Sequence, residues 1–546
     1  MFSFRCRRFS RIDAMRLGIL GSRIARPALA LALLLPGLGA RAANPERDPA
    51  WSVAARSLER GVRVHRLSNG MTFLLLERSQ APIFSGAIRF KVGGLDEAPG
   101  RSGLAHLFEH LAFKGTSQIG TRQFEQEEEL LQALERAMDR FVEEERRQPV
   151  DLDRLQEARQ RVANLRKQHQ KLLVPEEFSE LYTAHGAVGL NAGTGKDLTT
   201  YFVSLPANRT ELWCLMESER LRDGVLREFY AERDVVMEER RMRVESSPFG
   251  SLYEALLREA FGDAPYGIPT VGRSEDLRRL RTAQAEEFRR RHYRPENAVA
   301  ALVGDFEIGE AVRLIERYFG DWKEEPIEAP TPRGSGRGRG SERDRPERVE
   351  IQFESQPYLL VAFHKPVHPH PDAVKFQVLQ ELLGGGRSAR LYRRLVLERQ
   401  MALEVFTFEG PGQRRDNLFI VGAIPQAPHS AKQVEAAILE ELEVLALEPV
   451  GERELEKVRN GFQASFIRGL ASNLGLALQL SYFQSLYGDW RELLRLLEQA
   501  SKVTPDDLQT LAGRYLQPEH AVTAELIPLR HGNTGPGGAQ TQESGP

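Results

Sequence analysis

A pattern of strands and helices that opens at residue 62 opens again at residue 349. Between the two lies a stretch, 326–345, rich in Pro, Gly, Ser and Arg and without apolar periodicity. A chain that repeats one pattern across an exposed linker folds as two copies of a unit, and 546 residues exceed what a single core supports. In the first copy, 62–67 and 71–76 read as strands joined at the Asn69-Gly70 turn, and 83–92 as a third strand. A Gly/Pro loop then leads to a helix over about 102–113, with Leu104, Leu107, Phe108 and Leu111 on its apolar face. A strand at 198–205, helices at 208–222 and 231–245, and a strand at 298–303 ending on Gly304 complete an α+β pattern. The second copy offers strands at 349–353 and 358–363, a helix from Ala373, glycines at 384–386 and a helix at 391–398.

Residues 121–173 interrupt the first copy with dense charge, spaced apolar residues and a break at Pro149, the pattern of a long helical hairpin. The plain reading is a solvated coiled-coil insertion; a dedicated partner or substrate arm is the alternative.

At the N-terminus, Arg5, Arg7, Arg8, Arg16, Arg23 and Arg26 precede the apolar run 28–35, and Ala40-Arg41-Ala42 offers a small-x-small cleavage site. The run falls short of the roughly 20 residues of a spanning helix, so 1–42 reads as a secretory signal peptide, and Met15 is an alternative start. The mature chain is then expected in the periplasm, with no stable membrane insertion once the leader is removed. Of the two cysteines, only Cys214 lies beyond the leader, which excludes an internal disulfide. A formal net charge of -2 gives no polycationic surface for nucleic acid. The Gly/Pro-rich tail 531–546 reads as disordered.

His106-Leu107-Phe108-Glu109-His110 carries the chemistry. Two histidines four residues apart share one face of a helix, where their nitrogens can converge on an ion, and Glu109 lies on the same side. With 12 His in the chain, chance produces this spacing with a probability of roughly two per cent. The bland reading, a pair of structural histidines, is correspondingly weak. A hydrolytic zinc site needs a third protein ligand and an open position for water. Glu232 and Glu239, two helical turns apart, are candidates beside Glu238, with Val235 and Val236 expected to help bury the segment.

The segment 103–116, Gly-Leu-Ala-His-Leu-Phe-Glu-His-Leu-Ala-Phe-Lys-Gly-Thr, resembles the pitrilysin/insulinase family of inverted-motif (HxxEH) zinc metallopeptidases, which includes the mitochondrial processing peptidases. Leu190-Asn191-Ala192, the 232–239 segment, Pro265-Tyr266-Gly267 with Gly272, and 293–297 running to Gly304-Asp305-Phe306 agree in order. The resemblance implies zinc, one ion per chain, on His106, His110 and Glu239, with Glu232 supporting the site and Glu109 as general base. It also implies that Asn191 and Ala192 lie on an edge strand that binds extended peptide through the main chain. The expected architecture is two homologous domains, each a mostly antiparallel sheet with helices on one face, plus the inserted hairpin. Their bounds are 43–325 and 349–530, with the linker at 326–348.

Two departures stand out. From His110 to Glu239 is 129 positions, more than the family usually has, and the hairpin accounts for the excess. Members able to act alone carry in their second half an arginine followed seven residues later by a tyrosine, which bind the substrate carbonyl. Here those positions hold Val396 and Leu403. A homologous partner subunit that lacks zinc but supplies an Arg/Tyr pair is therefore expected, making the chain the catalytic subunit of a heterodimer. The competing readings are a non-catalytic structural or assembly subunit, a zinc hydrolase of a non-peptide amide or ester, and a binding module built on the hairpin.

Overall fold

The computed structural model describes residues 50–323 and 347–529. The expected leader and tail, and all but the last two residues of the expected linker, lie outside the described residues.

The first half runs α1 (Ala50–Gly61), β1 (Arg63–Arg66), β2 (Thr72–Glu77), β3 (Ile83–Phe90) and α2 (Leu104–Leu111). Helices α3 (Phe124–Arg146), α4 (Leu152–His169) and α5 (Glu177–Ala184) lead to β4 (Val188–Thr194) and β5 (Thr199–Pro206). Next come α6 (Thr210–Arg222), α7 (Phe229–Arg240), α8 (Pro248–Phe261), α9 (Ser274–Arg279) and α10 (Thr282–His292), then β6 (Ala298–Gly304) and α11 (Ile308–Phe319). The second half runs β7 (Glu347–Phe353), β8 (Tyr358–Lys365), α12 (Asp372–Gly384), β9 (Ala402–Gly410) and β10 (Asn417–Pro425). It closes with α13 (Ala431–Leu447), α14 (Glu452–Gly469), α15 (Asn473–Tyr487), α16 (Glu492–Lys502), α17 (Pro505–Tyr515) and β11 (Val522–Pro528).

The two sheets have orders β1-β2-β6-β3-β5-β4 and β7-β11-β8-β10-β9. Set β1 aside and they coincide strand for strand. Each opens with one parallel pair, β2 with β6 and β7 with β11, and every other pairing is antiparallel. The fold is α+β with two homologous domains. Arg66 opposite Thr72 closes the β1–β2 hairpin at the expected Asn-Gly turn, where Gly70 takes φ 95°.

One face of the first sheet packs Leu75, Phe84, Ile88 and Phe90 against α2, α6 and α11. Gly86 in mid-β3 leaves room for Trp213, since a Cβ there would stand 2.4 Å from the indole nitrogen. The corresponding face of the second sheet packs Leu359, Val361, Phe363, Phe419 and Val421 under α12, α13 and α17.

Helices were expected on one face only, yet each sheet's opposite face is covered by a helix from the other half. Leu252, Leu256, Leu257 and Ala260 of α8 cover Leu360, Ala362, Leu418 and Ile420 of the second sheet. Leu476, Ala477 and Leu480 of α15 cover Leu74, Ala87, Ala301 and Val303 of the first. Each fully buried leucine in these layers contributes about 1.5–3 kcal/mol relative to exposure.

The charged insertion is the hairpin α3–α4, but its base is not a solvated decoration. Leu134, Ala137, Met138, Val162 and Leu165 join the core of the first half. Buried Glu127 accepts from Arg227 at 2.9 and 3.0 Å and from His169 at 2.8 Å, and Glu135 accepts from Tyr230 at 3.1 Å. The outer faces of both helices are open to solvent along their length, and at the far end Leu152 is 75% exposed. Among the described residues no helix is long and apolar enough to cross a membrane.

Candidate metal centre

Gly103 starts α2 at φ 88°, where a Cβ would stand 2.6 Å from the Val271 carbonyl oxygen. That close approach seats α2 against the rest of the domain, and Glu97 accepts from the Ala105 amide at 2.8 Å in its first turn. Leu107 and Leu111 hold the helix in the core, and His106 and Glu109 are buried as well. Helix α7 crosses beside it. Val236 is fully buried and fixes the rotation of α7, whereas Val235, expected to share that role, is half exposed.

Glu239 Oε2 lies 3.5 Å from His106 Nε2 and 3.4 Å from His110 Nε2. A tetrahedral zinc ion with bonds of about 2.0–2.1 Å holds its donors about 3.3 Å apart. One donor atom from each of His106, His110 and Glu239 falls within 4.8 Å of the other two, the spacing of a metal-binding group. Glu239 Oε2 is buried without a hydrogen-bond partner, so its lone pairs are directed at the two imidazoles and answered by nothing. His106 Nδ1 and Glu109 Oε2 are likewise buried and unpartnered. Such a cluster of unmet donors and acceptors is costly in a bare interior and fits a cation at its centre.

Around this trio the structure adds supports. The other oxygen of Glu239 pairs with Arg243 at 2.6 Å. His110 Nδ1 meets Glu232 at 3.3 Å, and Lys114 pairs with the second oxygen of Glu232 at 2.7 Å, a chain that fixes the ring's orientation. Glu238, the third candidate from sequence, turns away to Arg241 at 2.6 Å. Asn191 and Ala192 lie on β4, the edge strand of the first sheet. The Thr194 hydroxyl, at the end of that strand, lies against the Glu109 carboxylate.

Burial pushes the His106 imidazole down to about 4, outweighing Glu239. Burial works the same way on His110, but the carboxylates of Glu232 and Glu239 beside it overcome it and raise that ring to about 9. Burial pushes the Glu109 carboxyl up, opposed by Thr194 and His110. For Glu239, burial is outweighed by His110, His106 and Arg243, which hold it below the usual carboxylate range.

Lys114, Thr194 and Arg243 were given no part in the site from the sequence. Lys114 and Arg243 each sit four residues beyond a site residue, His110 and Glu239, so helical spacing carried a signal for both. Thr194 arrives by strand pairing and had none. Val396, at the first of the two positions without Arg or Tyr, packs against the second core, and Leu403 is exposed on β9, the edge of the second sheet.

Among the described residues, the duplicated α+β scaffold carries a His-His-Glu group that could hold a metal ion, with a buried glutamate beside it. The chain is similar to the insulinase/pitrilysin family, peptidase family M16, over two segments. The family model described as "Insulinase (Peptidase family M16)" matches residues 73–137, and that described as "Peptidase M16 inactive domain" matches 279–462. The chain is 26% identical over 469 residues to the zinc protease PqqE of Helicobacter pylori, covering 85% of this chain and 92% of that relative. Its fold matches the crystal structure of a protease from Helicobacter pylori with TM-score 0.71 and 23% identity, covering 86% of this chain and 99% of that one. It also matches the periplasmic protease PqqL of Escherichia coli with TM-score 0.62 and 15% identity, over 86% of this chain and 47% of the longer neighbour.

Proposed function

We propose that the chain is a zinc-dependent endopeptidase acting on extended peptides, and the catalytic subunit of a heterodimer. The observation that carries this reading is the position of Glu239 Oε2 between two imidazole nitrogens, with Glu109 buried beside them. His106, His110 and Glu239 would hold one zinc ion. When bound, zinc supplies Lewis acidity that brings the pKa of a water molecule towards about 7. Glu109 takes the proton of the attacking water and returns it to the leaving amine, a task suited to a carboxylate whose pKa burial has raised. Glu232, held by Lys114, keeps His110 oriented. The free edge of β4 at Asn191 and Ala192 receives peptide main chain by strand addition, which selects extended over folded substrates.

The second half lacks the arginine and tyrosine for the substrate carbonyl, with Val396 and Leu403 in their places. An absent oxyanion donor costs about 3–4 kcal/mol of transition-state stabilisation, and a homologous partner without zinc would supply it. The "inactive domain" match at 279–462 excludes His106, His110 and Glu239, whereas the insulinase match at 73–137 contains both histidines and Glu109. That division favours a catalytic first half and a non-catalytic second half over a wholly structural subunit. The arginine-rich leader and the periplasmic neighbour support a periplasmic location.

The deciding experiment measures zinc content and cleavage of quenched fluorescent peptides with and without the homologous partner, beside Glu109→Gln. Stoichiometric zinc with cleavage that needs both the partner and Glu109 is expected. Full activity from the chain alone would refute the heterodimer, and absent zinc with no cleavage would make this a structural subunit.

A further inference from the structure

Strand β4 has two faces. Ala192, opposite Tyr201, turns to the core shared with α2, and Thr194 on the same face meets Glu109. Asn191, opposite Phe202, turns to the α15 side, as does Gly193, opposite Thr200. Behind Gly193 and Thr200 lies a cavity of about 270 Å³, whose walls include Arg89 of β3, Glu409 of β9 and Tyr482 of α15. A peptide strand added to β4 would alternate in the same way, with every second side chain turned from Glu109 towards this cavity.

Gly193 is the doorway. Its φ lies outside the left-handed region, and a Cβ there would meet nothing within 4 Å, so neither backbone strain nor packing demands glycine. Its missing side chain leaves the mouth open.

Two cations, Arg89 and Lys196, and two carboxylates, Asp197 and Glu409, line the cavity, and they differ in how they are partnered. Glu409 is paired with Lys365 at 2.9 Å, although its Oε1 is without a partner. Asp197 accepts from Tyr266 at 2.7 Å and from the Gln413 amide, and Lys196 donates to the carbonyls of Pro265, at 3.1 Å, and Ile268. Arg89 donates only to neutral oxygens, Ser481 Oγ at 3.4 Å and the Leu478 carbonyl at 3.3 Å, and stacks 5.4 Å from the Tyr482 ring. No carboxylate among the described residues lies within ion-pair distance of it, and burial lowers its pKa to about 10. A guanidinium so placed gains most from an incoming carboxylate, which restores the charge-assisted bonds that burial removed.

We propose that this cavity takes an acidic side chain, Asp or Glu, of a peptide lying along β4. The inference rests on the peptidase reading and adds a substrate class to it. The test is peptide binding to the zinc-loaded Glu109→Gln chain assembled with its partner subunit, read by fluorescence anisotropy, so that turnover is not required. The probes are fluorescent peptides in which a single Glu, Gln or Lys is walked along an otherwise Ala/Val sequence. In one register Glu should bind about tenfold more tightly than Gln. Arg89→Met should abolish the preference. Gly193→Leu, which puts a side chain into the doorway without touching Arg89, should abolish it as well, so a folding defect in the first variant does not decide the matter. Equal binding of Glu and Gln in every register, or a preference that survives Gly193→Leu, overturns the inference and leaves the peptidase reading intact. Failure of every peptide to bind overturns both.

Discussion

Helices α2 and α12 follow equivalent strands, β3 and β8, in two sheets of matching order. Their buried residues differ in kind. Helix α12 turns Phe376, Val378, Leu379, Leu382 and Leu383 into its core, while α2 buries His106 and Glu109 among its leucines. Burial of apolar surface is all the architecture needs, and α12 supplies it. The polar atoms on α2 and α7 without partners weaken that helix pair as a bare scaffold, a burden that the side chains of α12 do not carry. A duplicated fold can thus keep one copy for structure while the other accommodates chemistry.

Breaking the chemical side of this comparison should produce the largest effect. Glu109→Gln should lower peptide cleavage by the catalytic assembly by about 10²- to 10⁴-fold while zinc content, measured by metal analysis, stays unchanged. Loss of zinc along with activity would show instead that Glu109 is needed to build the site. One bond further out, Glu232→Gln should weaken zinc affinity by about 10- to 100-fold in a chelator competition, because His110 loses its orienting carboxylate. The structural side is broken by Leu379→Ala on α12, where the side chain is fully buried. Denaturant titration should show a loss of about 2–5 kcal/mol, with zinc bound per folded chain unaltered. A change in zinc stoichiometry there would mean that the halves do not divide their roles.

Acid should expose a smaller difference, since only the first half carries the α3–α4 hairpin. Burial would raise Glu127, but His169 and Arg227 outweigh it and depress it to about 2. A depressed carboxylate contributes stability in full above its unfolded value, near 4.5, and loses it as pH falls through its folded value. Susceptibility of the hairpin to pepsin should therefore rise between pH 4.5 and 2 before the second half yields. Equal acid sensitivity of both halves would remove Glu127 as the anchor.

Local patterns made much of this legible. The two-strand opening with its Asn-Gly turn, the restart near residue 349 and the histidine spacing on a helix were all readable, because each depends on neighbours within a turn or two. Helix bounds shifted by a few residues: the expected 102–113 is Leu104–Leu111, and the expected 231–245 ends at Arg240 with a π-helical turn after it. The expected helix at 391–398 is mostly a π-helical turn, Tyr392–Glu398. Residues 50–61, for which no element was expected, form α1, whose Ala55 and Leu58 join the α15 layer. The buried anchor Glu127 reads in the sequence as one of many glutamates in a charged run, because its partners Arg227 and His169 are far along the chain. Thr194 and the cavity behind Gly193 depend on strand register, which no single segment reveals.

The exchange of α8 and α15 bears on how the chain is made. Arg89 on β3 reaches Ser481 on α15 across 392 positions of sequence. During synthesis the first sheet emerges early, but the layer that covers its far side emerges among the last helices. The domain carrying His106 therefore cannot finish folding as a vectorial, N-to-C event. Until α15 is out, one sheet face lies bare, which exposes the growing chain to aggregation if release is delayed.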